Sequence, residues 1–102
     1  MTRLRPAAVL LLTLASCAAP HVPEPTLEAA RGDEAALRDL RTGRLIYVAK
    51  CSGCHGLYSV EEYSDPAWER NVQKMIRLKK VKLSEDERMD LLRYLTVLNG
   101  RE

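Results

Sequence analysis

Apolar positions along the chain form one unbroken block near the start and three periodic stretches after it. The block runs from Ala7 to Leu14, interrupted only by Thr13, with Arg3 and Arg5 before it and the small residues Ala15-Ser16-Cys17-Ala18-Ala19 behind it. Charged, apolar and small, in that order, is the layout of an export signal. The block is too short to span a bilayer, which takes about 20 apolar residues, and it lacks the polar face of a buried amphipathic helix. Pro20, Pro23 and Pro25 follow, favouring extended backbone and withholding amide donors, which reads as a tether. The pattern divides the chain into a leader over residues 1–16, an N-terminal tether over 17–36 and a folded domain over 37–102, whose start falls between Glu34 and Thr42.

Three helices are expected in that domain. The first ends at Cys51 and carries Leu37, Leu40, Ile46 and Tyr47 at imperfect helical spacing, with Gly43 weakening its middle. The second opens at Asp65-Pro66, an N-cap residue followed by proline at the first helical position, and runs through Trp68, Val72, Met75, Ile76 and Lys79. The third opens with Ser84-Glu85-Asp86-Glu87, a capping box in which Ser84 and Glu87 satisfy each other's backbone donors. Leu91, Leu95 and Leu98 line its apolar face, Leu92 and Tyr94 flank it, and Asn99-Gly100 ends it. No alternating run is long enough for a strand, so the fold class is all-α.

Composition sharpens this picture. The chain has 102 residues, no phenylalanine, one tryptophan and four tyrosines. Without its leader it is a domain of roughly 85 residues or fewer, a size that struggles to bury enough apolar surface unaided. A large apolar cofactor would complete such a core. The net charge is +2, and loss of Arg3 and Arg5 with the leader makes the remainder formally neutral. No basic field remains to hold nucleic acid phosphates. Three cysteines, an odd number, do not suit a disulfide framework.

Two of those cysteines stand in Cys51-Ser52-Gly53-Cys54-His55, the complete C-x-x-C-H pattern of covalent haem attachment. Two residues between the thiols let one tight turn offer both sulfurs to the vinyl groups on one haem edge, and the next residue turns an imidazole towards the iron. A thioredoxin-like pair would need a βαβ setting that the pattern lacks. A structural zinc site needs four ligands, and only His21 could join these three.

Over residues 40–98 the chain resembles the class I cytochrome c family, through a first helix ending in the Cys motif, Gly56 behind it, a methionine-bearing segment, and a last helix carrying Leu91-Leu92-Arg93-Tyr94-Leu95. The resemblance implies a small cytochrome c-like bundle of three or more helices around one covalent haem c. It also implies a close crossing of first and last helices, with Gly43 and Tyr94 where a glycine meets an aromatic. The family's usual methionine loop, with proline beside the ligand, is missing. The stretch Trp68 to Met75 instead looks like the subset whose ligand methionine lies on a helix after a tryptophan. The proline that often follows the motif is absent as well, which leaves open the carbonyl that orients the His55 ring.

For a bound haem, Cys51 and Cys54 are the attachment points and His55 one axial ligand. His21 sits in the tether and Met1 leaves with the leader, so the other ligand falls between Met75 and Met89. At 100° per residue, Met75 lies within about 60° of Val72 on a face with Trp68 and Ile76, whereas Met89 points about 160° from Leu91. Met75 is therefore the expected ligand and Met89 should face solvent. Histidine and methionine together close both iron positions, which suits outer-sphere electron transfer. The reading is a non-enzymatic carrier, alone or as a subunit of an exported oxidoreductase. A five-coordinate haem binding a small gas or peroxide is the alternative, and a structural or assembly role a third. No catalytic constellation is visible, and the run Glu85-Asp86-Glu87 is explained by the helix dipole.

Leu14-Ala15-Ser16-Cys17 resembles a bacterial lipoprotein signal, in which Cys17 becomes the acylated N-terminus. That places the protein on the periplasmic side of a membrane, and the absence of aspartate at position 18 points to the outer membrane where two exist. Ordinary cleavage after Ala19 would release a soluble periplasmic protein instead. Between Glu69 and Lys82 stand Arg70, Lys74, Arg77, Lys79, Lys80 and Lys82 against one acid. If Met75 binds iron, these cations would surround the haem edge and suit an acidic redox partner. A solvated helix face with cations towards its C-terminus is the plainer account.

Overall fold

The structure, a computed structural model, describes residues 19–52 and 56–100. Among them are three α-helices and no strand: α1 Glu34–Cys51, α2 Asp65–Arg77 and α3 Glu85–Leu98, with a short 3-10 turn at Val60–Glu62. The domain is thus all-helical.

Helices α1 and α3 begin where the sequence supplies partners for free amides. Asp33 caps α1, its carboxylate accepting from the amides of Ala35 and Ala36. The capping box of α3 is present in both directions, Ser84 Oγ accepting from Glu87 N and Glu87 Oε1 from Ser84 N. At α2 the cap is Ser64, one residue before the expected Asp65, and no side-chain bond closes it. The Asp65 carboxylate instead accepts from buried Asn99 Nδ2 at 2.6 Å, tying the start of α2 to the end of α3. The other end of α2 also differs. Lys79, expected on the helix, lies beyond it at φ 56°. Lys80 N donates to Met75 O and Lys79 N to Ile76 O, a Schellman closure with lysine where glycine is usual.

Helices α1 and α3 run antiparallel along each other. Lys50 meets Glu87, Asp39 meets Arg93, and Leu98 packs against the cluster of Leu37 and Leu40. Midway, Gly43 lies against the α3 backbone. A Cβ at Gly43 would come within 2.1 Å of the Asp90 carbonyl oxygen and 2.7 Å of Tyr94 Cβ. Glycine therefore sets the approach of the two helices, and what weakens α1 locally is required by its packing. The main core gathers Ile46, Tyr47, Val60, Trp68, Val72, Leu91, Tyr94 and Leu95 around this contact. The smaller group of Ala30, Leu37 and Leu40 lies at the start of α1 and just before it.

Residues 21–33, expected as part of a free tether, lie along the bundle. Tyr94 Oη donates to Pro23 O at 2.8 Å, Arg44 Nε to Val22 O at 3.1 Å, and Pro25 and Ala30 are buried. Prolines here stiffen a docked strap, whose carbonyls serve buried donors that α1 and α3 would otherwise leave unmatched.

A methyl group at position 43 gains about 1 kcal/mol in helix propensity, but it must separate two backbones, where overpacking typically costs 1–3 kcal/mol and more when nothing flexible yields. Gly43→Ala is expected to destabilise the domain by about 2 kcal/mol net, with Gly43→Val worse. Urea unfolding followed by helical circular dichroism measures this, and an unchanged or raised midpoint would contradict the tight crossing.

Candidate functional site

Between the end of α1 and the face of α2 lies a cavity of about 270 Å³. Its apolar walls are Tyr47 and Cys51 from α1, Trp68, Val72 and Met75 from α2, and Leu91 and Leu95 from α3. It opens on the side of the exposed residues Lys50, Gly56, Tyr58 and Lys74. Its volume stands just under the usual 300–1,000 Å³ of small-molecule pockets.

Helical periodicity places these side chains. Tyr47 and Cys51 are four apart on α1, as are Trp68 with Val72 and Asn71 with Met75 on α2, so each pair shares a helix face. The loop wall is held by hydrogen bonds from buried aromatics: Tyr47 Oη donates to Tyr58 O at 2.7 Å and Trp68 Nε1 to Val60 O at 2.9 Å. Trp68 also stacks edge-on with Tyr47 and with Tyr63, at centroid separations of 5.8 and 5.0 Å. Burial pushes the Tyr47 phenol well above its ordinary range and the Tyr94 phenol up to about 12, so both stay neutral hydrogen-bond donors.

Cys51 is half-buried against the core, and burial pushes its thiol up. That is opposite to the depressed thiol of a redox-active Cys-x-x-Cys pair. Cys54 and His55, with Gly53, lie outside the described residues, as does Cys17. The chain enters 53–55 from Ser52 and leaves at Gly56, and both Cys51 and Gly56 border the cavity. Gly56 adopts φ 69°, a left-handed conformation suited to glycine. Met75 lines the cavity and is half-buried. Met89 is 46% exposed, the orientation its phase implies.

The residues present fit a flat, mostly apolar group carrying iron. The Cys51 thiol and the Met75 thioether border a single cavity with aromatic and aliphatic walls. Among the described residues, no group of three or more His, Cys, Asp or Glu could hold a metal ion, and no helix is long and apolar enough to cross a membrane. Asn71, Tyr58, Tyr63 and Val81 also line the cavity. Asn71 was accessible from its spacing to Met75, whereas the two tyrosines lie in a loop without periodicity.

On the open side, Lys50 Nζ donates to Glu87 Oε2 at 2.9 Å and to Lys82 O at 3.1 Å, joining the end of α1 to the start of α3. The side chains of Arg70, Lys74, Arg77, Lys79, Lys80 and Lys82 are exposed, and none is ion-paired among the described residues.

No protein-family model matches the chain, and neither a curated protein nor a solved structure shows significant similarity to it.

The Ser84 amide, followed by Lys50, holds the Glu87 carboxyl at about 2, below its ordinary 4.5. A depressed folded-state value makes this contribution complete above the unfolded value and lost as pH falls from 4.5 towards 2. Glu87→Gln keeps a side chain that can serve the capping box but removes the titration. Its acid-induced loss of stability over that window should be shallower than the parent's, by urea unfolding at successive pH values. Identical pH profiles would show that the carboxylate carries no such linkage.

Proposed function

We propose that the protein is a monohaem electron carrier of the c type, alone or as the carrier subunit of an exported oxidoreductase. The observation that carries this reading is that Cys51, which opens the C-x-x-C-H motif, and Met75 line one apolar cavity, while Met89 does not. Bound there, a haem would supply a one-electron iron couple, and histidine with methionine as axial ligands favours the ferrous state and leaves no position open for substrate.

Each residue then has a role. Cys51 and Cys54 hold the group covalently, and His55 and Met75 are its axial ligands. Trp68, Val72, Leu91 and Leu95 exclude water from one side. Met75 projects from the last turn of α2, where its own carbonyl is fixed by Lys80 N. A restrained backbone under a flexible thioether suits a ligand that must stay in reach of iron. This reading keeps the resemblance to class I cytochrome c as its framework. It includes export, with acyl chains on Cys17 as anchor.

In the haem-loaded protein, Met75→Ala should convert the iron towards high spin, remove any methionine-to-iron charge-transfer band and lower the reduction potential. Met89→Ala should leave all three unchanged. The reverse pattern would overturn the ligand assignment, and rapid carbon monoxide binding by the reduced parent would favour a five-coordinate sensor.

The six exposed cations lie on and just after α2, whose Lys74 borders the opening of the cavity. They form a surface for an acidic redox partner. Electron transfer to a native partner should slow steeply as ionic strength rises through about 0.1 M, where the screening length is ~10 Å. A rate indifferent to salt would remove these residues from docking.

A further inference from the structure

Residues 21–25 are fastened to the domain at several points. His21 N donates to Ser59 Oγ at 2.8 Å, and Val60 N returns a bond to His21 O at 3.0 Å. His21 Nδ1 is paired with the Glu61 carboxylate. Arg44 holds both Val22 O and the Glu24 carboxylate, the latter at 3.0 Å, and Tyr94 Oη donates to Pro23 O. Val22 packs against the main core and Pro25 is buried. Fixation therefore begins at His21, only four residues after Cys17.

We propose that this docked strap holds the domain directly at a lipid surface, with the short wall Ser59–Glu61 nearest the bilayer. The inference rests on the reading of Cys17 as an acylated residue. With the strap docked, His21 can lie at most about 14 Å from Cys17. A tether free as far as α1 would allow roughly 60 Å. The wall next to the attachment point continues into Tyr58 and Tyr63, which line the cavity, so the cavity is held close to the lipid as well. A water-borne partner would reach it from the Lys74 side.

Charge does not produce this closeness. Glu61 is paired with His21 and Glu24 with Arg44, and Glu62 adds a further acid. This face carries no excess of cations to adsorb on anionic headgroups. Leash length sets the distance, and salt should not change it. Adsorption through the basic residues 70–82 would behave oppositely, weakening as salt rises.

The test uses the full chain, processed by its host and placed on a supported phosphatidylcholine bilayer. Neutron reflectometry measures the water layer between headgroups and protein. The parent should show a gap no wider than about 14 Å at both low and high salt. A ten-residue Gly-Ser insertion between Ala18 and Ala19 leaves the strap intact and should widen the gap about twofold. A parent gap as wide as that of the insertion variant, or a gap that stays narrow only at low salt, would overturn the proposal. Mass spectrometry of the Cys17 peptide separates the two ways of failing. An unmodified Cys17 overturns the anchor on which the proposal rests. An acylated Cys17 with rapid amide exchange at Val60 overturns the docked strap itself.

Discussion

The contact between Gly43 and the backbone of α3 governs the arrangement of everything else. With the Asp90 carbonyl oxygen 2.1 Å from where a Cβ would stand, α1 and α3 meet backbone to backbone at that level. Close approach at one point brings Tyr94 into the centre of the core, where it is fully buried. It also spaces the ends of the helices so that Lys50 reaches Glu87 on one side and Leu37 and Leu40 reach Leu98 on the other. Helix α2 then closes over Leu91 and Leu95 with its Trp68 and Val72, and the space left between α2 and the end of α1 is the cavity. The cavity's position thus follows from a steric constraint about eight residues before the motif.

A second level of order comes from the polar tips of buried aromatics. Tyr94, Tyr47 and Trp68 each bury an apolar ring and donate one hydrogen bond to a carbonyl in otherwise irregular chain, at Pro23, Tyr58 and Val60. Each bond satisfies a buried donor and fixes a segment with little regular structure of its own. Val60 belongs to both sets of ties, since its carbonyl accepts from Trp68 and its amide donates to His21 O. The cavity wall and the N-terminal strap are therefore mechanically one unit.

Much of this was legible in the sequence where the determinants are local. The α3 capping box involves residues three apart, and the phase of Met89 follows from 3.6 residues per turn, so both could be read directly. Gly43 shows why local reading alone is partial: its low propensity suggests a weak helix, and only its partner on α3 gives it a purpose. Asp65 has the chemistry of a cap but serves Asn99, a residue 34 positions away, and no spacing rule contains that pairing. Lys79 continues the helical spacing of α2 yet lies in the left-handed closure beyond it. The proline-bearing strap misleads for the same reason. Its composition matches a linker, while its docking depends on Arg44 and Tyr94, which are distant in sequence. The motif Cys51 to His55 was legible by pattern, and of its two cysteines and histidine Cys51 is the one that the described structure places.

The composition of the core bears on what a cofactor would do in this chain. Eleven hydrophobic residues are buried among those described, and none is phenylalanine. Interiors of small domains are normally close-packed, because a wall facing a void loses its dispersion partners. Here the walls formed by Tyr47, Trp68, Leu91 and Leu95 are themselves core residues, so the cavity is cut into the centre of the packing. A domain with few large side chains has little of its own to fill such a space. A covalently held haem would meet that need and extend the core from α1 to α2, with Cys51 and Met75 as its links to the two helices. Under the proposed function, stability and redox activity then have the same source: the group that carries the electron also completes the packing of the helices that hold it.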